Sequence, residues 1–218
     1  MALAIFDLDN TLLNGDSDYL WGKFLAQEGH VDSKHYENEN QRFYDEYVAG
    51  TLDIFEFLKF SLAPLSKFSM KELENLHSIF MNEYIYPLIT TKSRALIKKH
   101  TEQNDSLLII TATNSFITKP IAKELGIPDI LATDPEIKDN RYTGEVFGTP
   151  CFREGKIERL MNWLNETGNT FTESYFYSDS HNDLPLLKVV TKPIAVDPDD
   201  TLLSHAKIKN WDIISLKD

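Results

Sequence analysis

Four short stretches hold residues whose types and spacing suit one kind of chemistry. The first, Phe6-Asp7-Leu8-Asp9-Asn10-Thr11, carries two carboxylates two residues apart. The second, Leu107 to Asn114, is an apolar run ending in Thr111-Ala112-Thr113. A lone lysine follows in Arg153-Glu154-Gly155-Lys156. The last, Tyr177-Ser178-Asp179-Ser180-His181-Asn182-Asp183, adds two aspartates four apart. Gathered in one crevice, they would make a phosphoryl-transfer site. A phosphate ester is anionic, and four carboxylates repel it unless a cation stands between. Mg²⁺ suits, because it takes oxygen ligands, commonly one or two carboxylates with waters and phosphate oxygens. The expected metal group is Asp7, Asp9, Asp179 and Asp183, with Asp179 binding directly and Asp183 orienting metal-bound water. Asp7 would attack phosphorus, since carboxylates form acyl-phosphates. Asp9 would protonate the leaving oxygen, its pKa raised by a neighbouring carboxylate, and then activate water. The Thr111 hydroxyl and nearby backbone amides, Ala112 among them, would hold phosphate oxygens. Lys156 would stabilise charge on the transferring group.

These residues need elements that bring them together. Leu3 to Phe6 is a continuous apolar run that reads as a buried parallel strand with the acids at its carboxyl end. From Gly15 to Pro87 the pattern is helical. Leu20, Trp21, Phe24 and Leu25 share one face, and Tyr36, Phe43, Tyr44, Tyr47 and Val48 share another, closed by Gly50 as C-cap. Asp53 is the expected N-cap of a third helix. Ser69 and Glu72 form a capping box for a fourth, which Pro87 stops. Strands and helices then alternate. Strands are expected at 107–110, 130–133, 175–177, 194–196 and 212–214, with 141–147 in a hairpin. Helices are expected at 116–125, with Pro120 in the first turn, and at 157–164. Such alternation gives an α/β fold: a Rossmann-like parallel sheet core (1–14 and 88–218) with an inserted small helical cap (15–87). In an open parallel sheet ligands bind beyond the carboxyl ends of strands, where Asp7, Thr111 and Asp179 all fall.

Composition excludes several alternatives. The 218 residues suffice for one sizeable domain with an insertion. With 34 acidic and 22 basic residues the net charge is −12, which argues against nucleic acid and anionic membranes as partners. The expected partner is a small phosphorylated metabolite. The single cysteine, Cys151, permits no internal disulfide and reads as an inert thiol. No stretch has the apolar length of a membrane span, and the expected setting is the cytoplasm. His181 reads as structural, and the other five histidines as ordinary. The aromatics from Tyr36 to Phe60 read as the insertion's own core, with one or two facing substrate.

The four motifs, in this order, resemble those of the haloacid dehalogenase superfamily of phosphatases. Asp7-Leu8-Asp9-Asn10-Thr11 is similar to its first motif, Thr111 to its second, Lys156 to its third, and Asp179 with Asp183 to its fourth. The resemblance covers essentially the whole chain, because a helical insertion between the first and second motifs resembles one branch's cap. Asn182 matches the phosphoserine-phosphatase-like group and is a substrate-binding candidate on that basis. The opening through Gly15-Asp16-Ser17-Asp18 resembles a bacterial subgroup whose members are labelled phosphoserine or histidinol phosphatases. Two departures stand out: Asp16 replaces the glutamate of phosphoserine phosphatases, and Thr111-Ala112-Thr113 replaces their Ser-Gly-Gly. The resemblance implies a Mg²⁺-dependent phosphomonoesterase working through an aspartyl-phosphate. A phosphotransferase and a non-catalytic phosphate-binding module are the alternatives. An amino acid or amino alcohol phosphate would need an anion for its ammonium, for which Asp16 is placed. A substrate carboxylate would need a cation, and Arg42 is the insertion's only arginine.

Overall fold

A computed structural model describes residues 1–218. A seven-stranded sheet forms its centre, in the order β4-β3-β2-β1-β5-β6-β7. The strands are β1 (Leu3–Phe6), β2 (Ser106–Asn114), β3 (Asp129–Lys138), β4 (Arg141–Phe147), β5 (Ser174–Ser178), β6 (Lys192–Val196) and β7 (Asp212–Ile214). All pair in parallel except β3 with β4, which form the expected hairpin. The chain builds outward from β1 to one edge through β2, then to the other through β5. The crevice where the order reverses lies at β1, the strand that carries Asp7.

β1 is buried on both faces, which is why its sequence is apolar without alternation. Ala4 and Phe6 face one side, packing with α5 (Thr91–Glu102), α6 (Ser115–Leu125) and the insertion. Leu3 and Ile5 face the other, over α7 (Glu154–Thr167), the short α8 (Leu184–Leu187) and α9 (Asp200–Lys209). His100 is 1% exposed and ties the end of α5 to the sheet. Its Nδ1 lies 2.9 Å from Asp105 Oδ2, and its Nε2 2.9 Å from the Tyr177 hydroxyl.

The insertion consists of α1 (Ser17–Gln27), α2 (Ser33–Ala49), α3 (Ile54–Leu62) and α4 (Met70–Phe80), continued by tight turns to Leu88. The caps follow local chemistry. Asp53 accepts from Phe55 N and Glu56 N, Gly50 ends α2 in the left-handed region, and Ser69 with Glu72 makes the capping box. The insertion's apolar interior is continuous with that of the sheet: Trp21, Phe24, Leu58 and Phe80 belong to the same cluster as Phe6 and Ile109. Trp21 packs edge-on against Phe80 of α4 and Phe116 of α6.

Three expectations need correction. β2 runs to Asn114 rather than stopping at Ile110, so α6 begins at Ser115 and Pro120 lies in its interior, not its first turn. The missing Pro N–H leaves that helix one bond short. β3 extends to Lys138, because its second half pairs with β4 after a register shift. Finally, the winding of α4 passes at Phe80 into a wider turn (Met81–Ile85) and a 3₁₀ turn (Tyr86–Leu88), so Pro87 lies within its last turn rather than just beyond it.

Candidate active site

Strand register assembles the site. Phe6 pairs level with Ile109 of β2 and Tyr177 of β5. Asp7 therefore emerges beside Ile110 and Ser178, with Thr111 and Asp179 one residue further out. The Asp7 amide still donates to Tyr177 O at 2.9 Å, so the strand edge fixes its backbone. Beyond it the chain winds tightly from Leu8 to Leu12, with Asn10 at φ 55°. This turn lowers Thr11 onto the β5 loop: its hydroxyl donates to Asp179 Oδ1 (3.0 Å) and accepts from Asp179 N (3.1 Å).

Lys156 comes from the first turn of α7 and is 3% exposed. Its ammonium donates to Asp7 Oδ1 at 2.9 Å and lies 2.7 Å from Asp183 Oδ1. Ser178 Oγ donates to Asp183 Oδ2 at 2.7 Å. Glycine is required at 155, since a Cβ there would meet Pro150 O at 2.1 Å, and that close approach lets α7 start deep enough to seat Lys156. Burial works to lower the lysine's pKa, but Asp183 and Asp7 outweigh it and hold the ammonium charged. Burial pushes Asp7 up to about 7, against the pull of Lys156 and with a further push from Asp183. Burial, then the charges of Asp7 and Asp183, raise Asp179 well above the carboxylate range.

Asp7 and Asp183, both buried, and the half-buried Asp179 thus form a mutually repelling group with one ammonium beside it. A hard divalent ion would relieve that repulsion, and the donor set is all oxygen, so the residues fit Mg²⁺. They do not by themselves close a three-carboxylate cage. The Asp9 carboxylate looks elsewhere: Oδ1 accepts from Ser17 N (2.6 Å) and Oδ2 from the Thr113 hydroxyl (2.7 Å). Burial and then Asp16 push it up to about 7. Its side chain is held between Ser17 of the insertion and Thr113 of β2, and neither oxygen is bonded to the groups that hold Asp179 and Asp183.

Above these groups a cavity opens between the strand ends and the insertion. Asp7, Asp9, Thr111, Ala112, Lys156 and Asp183 line its floor. The walls are aromatic, from Tyr19, Phe43, Tyr44, Tyr47, Phe57 and Phe152, and two further acids, Asp16 and Asp18, face in beside Asn40. Asp16 also caps α1, accepting from Tyr19 N at 2.9 Å. Burial and then the charge of Asp16 raise Asp18 well above its ordinary value. Lys156 is the only cationic residue lining the cavity. The Thr111 hydroxyl accepts from Thr113 N (3.2 Å), leaving its proton free to donate.

Two expected substrate ligands lie elsewhere. Arg42 is outside the lining, its guanidinium bound to Glu39 (2.8 Å), Glu46 (2.9 Å) and Glu56 (2.8 Å). At (i, i+3) and (i, i+4) on an exposed helix, Glu39 and Glu46 neutralise the cation locally. Asn182 is also outside the lining; it bonds Arg153 and the Tyr47 carbonyl. His181 is structural as expected, with Nδ1 2.8 Å from Asp199 Oδ2. Cys151 is buried, its thiol pushed up to about 12 by burial, in keeping with an inert role. Sequence reasoning gave no role to Asp18, Thr113, Phe152 or Arg153. Only Asp18 left a signal, as the second acid of Asp16-Ser17-Asp18.

Several known proteins resemble the chain in sequence or fold. A histidinol-phosphatase of Neisseria meningitidis serogroup C is 48% identical, and the match spans 99% of both chains. A phosphoserine phosphatase of Mycobacterium tuberculosis is 29% identical, over 97% of this chain and 70% of its own. Among solved structures, a Bordetella pertussis protein described as of unknown function superposes with TM-score 0.94 at 43% identity, covering 99% of each chain. A phosphoserine phosphatase described as a phospho-aspartyl intermediate analogue shares the fold, with TM-score 0.71 at 20% identity over 99% of this chain and 93% of that one. The sequence model of the haloacid dehalogenase-like hydrolases matches residues 4–188, so the chain belongs to that family and is a phosphatase.

Proposed function

We propose that the substrate is a small phosphomonoester that carries an amine and no carboxylate, with histidinol phosphate, the compound in the Neisseria relative's name, as the leading candidate. The cavity lining carries this reading. Beyond the phosphate floor it offers Asp16, Asp18 and aromatic walls, and no cation other than Lys156, which already serves Asp7 and Asp183. An ammonium between Asp16 and Asp18 would relieve their repulsion, and an aromatic heterocycle would pack on the tyrosines and phenylalanines. A substrate carboxylate would find no partner, because Arg42 is consumed by three glutamates. That disfavours phosphoserine.

Phosphatases of this family generally use Mg²⁺. Here Asp7 and Asp179 would hold it, with Asp183 beside them, and the ion would screen the substrate's charge from the carboxylates. Asp7, its oxygen aimed by Lys156, is the nucleophile. Asp9, raised to about 7 and fixed by Ser17 N and Thr113, is suited to giving a proton to the leaving alcohol and taking one from the attacking water. Thr111, the Ala112 amide and Lys156 receive the phosphate oxygens. Residues 15–87 act as the cap that supplies specificity. The test is phosphate release from a panel of phosphorylated metabolites with Mg²⁺. Histidinol phosphate should give a kcat/KM on the order of 100-fold above phosphoserine, the worth of one unpaired buried charge. Equal or better turnover of phosphoserine would sink the reading.

A further inference from the structure

The last turn of α2 ends against the catalytic loops, and two core side chains receive it. Arg153 Nη2 donates to the Gly50 carbonyl at 2.6 Å. The same guanidinium bonds Asn182 Oδ1 through Nε (3.0 Å) and Nη2 (2.9 Å). Asn182, 3% exposed, passes the link on: its Nδ2 donates to the Tyr47 carbonyl at 3.1 Å. A helix C-terminus carries unpaired carbonyls and a partial negative charge, which a cation complements. α2 has no basic residue in its own last turn, so the core supplies that cation.

The neighbours of this link are cavity walls. The guanidinium lies over the Phe152 ring, 4.9 Å from its centroid, and Phe152 packs 6.2 Å from the Tyr47 ring. Both rings line the cavity. Burial and then the charge of Asp179 hold the Tyr47 phenol protonated, which places that side chain within the field of the catalytic carboxylates. Arg153 itself sits at φ 49°, a conformation unfavourable for a residue with a Cβ, which the surrounding bonds must hold.

We propose that Arg153 is a positioning residue. Directly at Gly50, and through Asn182 at Tyr47, it latches the end of α2 to the Lys156 and Asp183 loops and so sets the aromatic wall that grips the non-phosphate part of the substrate. It reassigns Asn182 from touching substrate to holding the insertion. It also explains why Arg153 lies three residues from Lys156: one short segment places both the cation for the phosphate and the cation for the insertion.

The test uses Arg153→Gln, Arg153→Lys, Asn182→Ala and the double variant Arg153→Gln/Asn182→Ala, assayed on histidinol phosphate and on acetyl phosphate, which is too small to need the wall. Arg153→Gln should raise KM for histidinol phosphate about tenfold, at least five times the rise for acetyl phosphate, as expected for loss of charged hydrogen bonds. Arg153→Lys, which keeps the charge but not the fork, should recover part of the loss. The double variant should be no worse than the poorer single, because the two residues act through one link. Amide hydrogen exchange of residues 44–52 should quicken in each glutamine variant, with β1 and β2 unchanged. Equal KM changes on both substrates, or unaltered exchange at the end of α2, would overturn the latch. The exchange measurement needs no substrate, so failure of the amine reading leaves a separate signature: wild-type enzyme that ignores histidinol phosphate.

Discussion

The floor of the cavity and its roof are made on different terms. The floor consists of strand ends, and the charged groups on it and beside it are each held by a second group: Asp7 by Lys156, Asp9 by Thr113, Asp183 by Ser178, and Asp179, just outside the lining, by Thr11. The roof consists of helix faces, whose aromatic residues differ little in type from those that only pack the interior. Tyr47 lines the cavity, whereas Tyr36, eleven residues earlier on α2, packs at a tilt against Phe60 outside that lining. Chemistry dictates residue type on the floor, while on the roof placement alone separates a specificity residue from a packing one.

Substitutions can break or sharpen this contrast. Asp7→Asn tests the floor at its centre and should lower kcat by on the order of 10³ or more, since an amide is a poor nucleophile. Circular dichroism should show an intact fold, and a folded variant retaining more than a few per cent of activity would contradict the assignment. Asp18→Asn tests the roof. It should raise KM for histidinol phosphate by about 10–100-fold while sparing acetyl phosphate, the worth of a hydrogen bond to a charged group. Equal effects on the two substrates would show that Asp18 supports the floor instead.

A third experiment contrasts function with stability. Asp7 and Asp9 are raised from 3.8 to about 7, and Asp179 well above 3.8. A carboxyl whose folded pKa is raised contributes stability that is present at low pH and lost as pH rises through the folded value. Without divalent ions the melting temperature should therefore fall between about pH 4 and pH 8, and Mg²⁺ should recover part of the loss at the alkaline end. Asp179→Asn should reduce that slope and gain roughly 2–4 °C at pH 8, the shift expected for about 1 kcal/mol in a chain of this size, while activity is lost. A metal-free protein that is most stable at pH 8 would refute the balance of charges. The smallest effect is expected from Arg42→Ala, with less than about a twofold change in KM for any ester, because exposed ion pairs contribute little. A selective loss on a carboxylate-bearing ester would restore Arg42 to the roof.

Much of the floor was legible in the chain. The candidate catalytic groups sit where apolar runs end, and parallel pairing forces such ends to one side of the sheet, so Asp7, Thr111 and Asp179 converge by register alone. Helix caps were equally readable at Gly50, Asp53 and Ser69, because each acts within four residues of its own backbone. β2 and α6 were harder. The polar Thr111-Ala112-Thr113-Asn114 segment looks like a loop, and only pairing with β3, resumed at Asn114 opposite Thr133 after a register shift, makes it strand, which then carries Pro120 into the helix interior.

By itself, then, the sequence determined the type of chemistry and the local punctuation of the fold, because both depend on residue type and short spacing. Tertiary structure alone decided who meets whom across the cavity. It turned the Asp9 carboxylate towards Ser17 and Thr113, fastened Arg42 to three glutamates, put Asp18 beside the aromatic wall, and set Arg153 under the end of α2. These contacts join residues up to 104 positions apart through packing of whole elements, and no periodicity within one helix or strand encodes them.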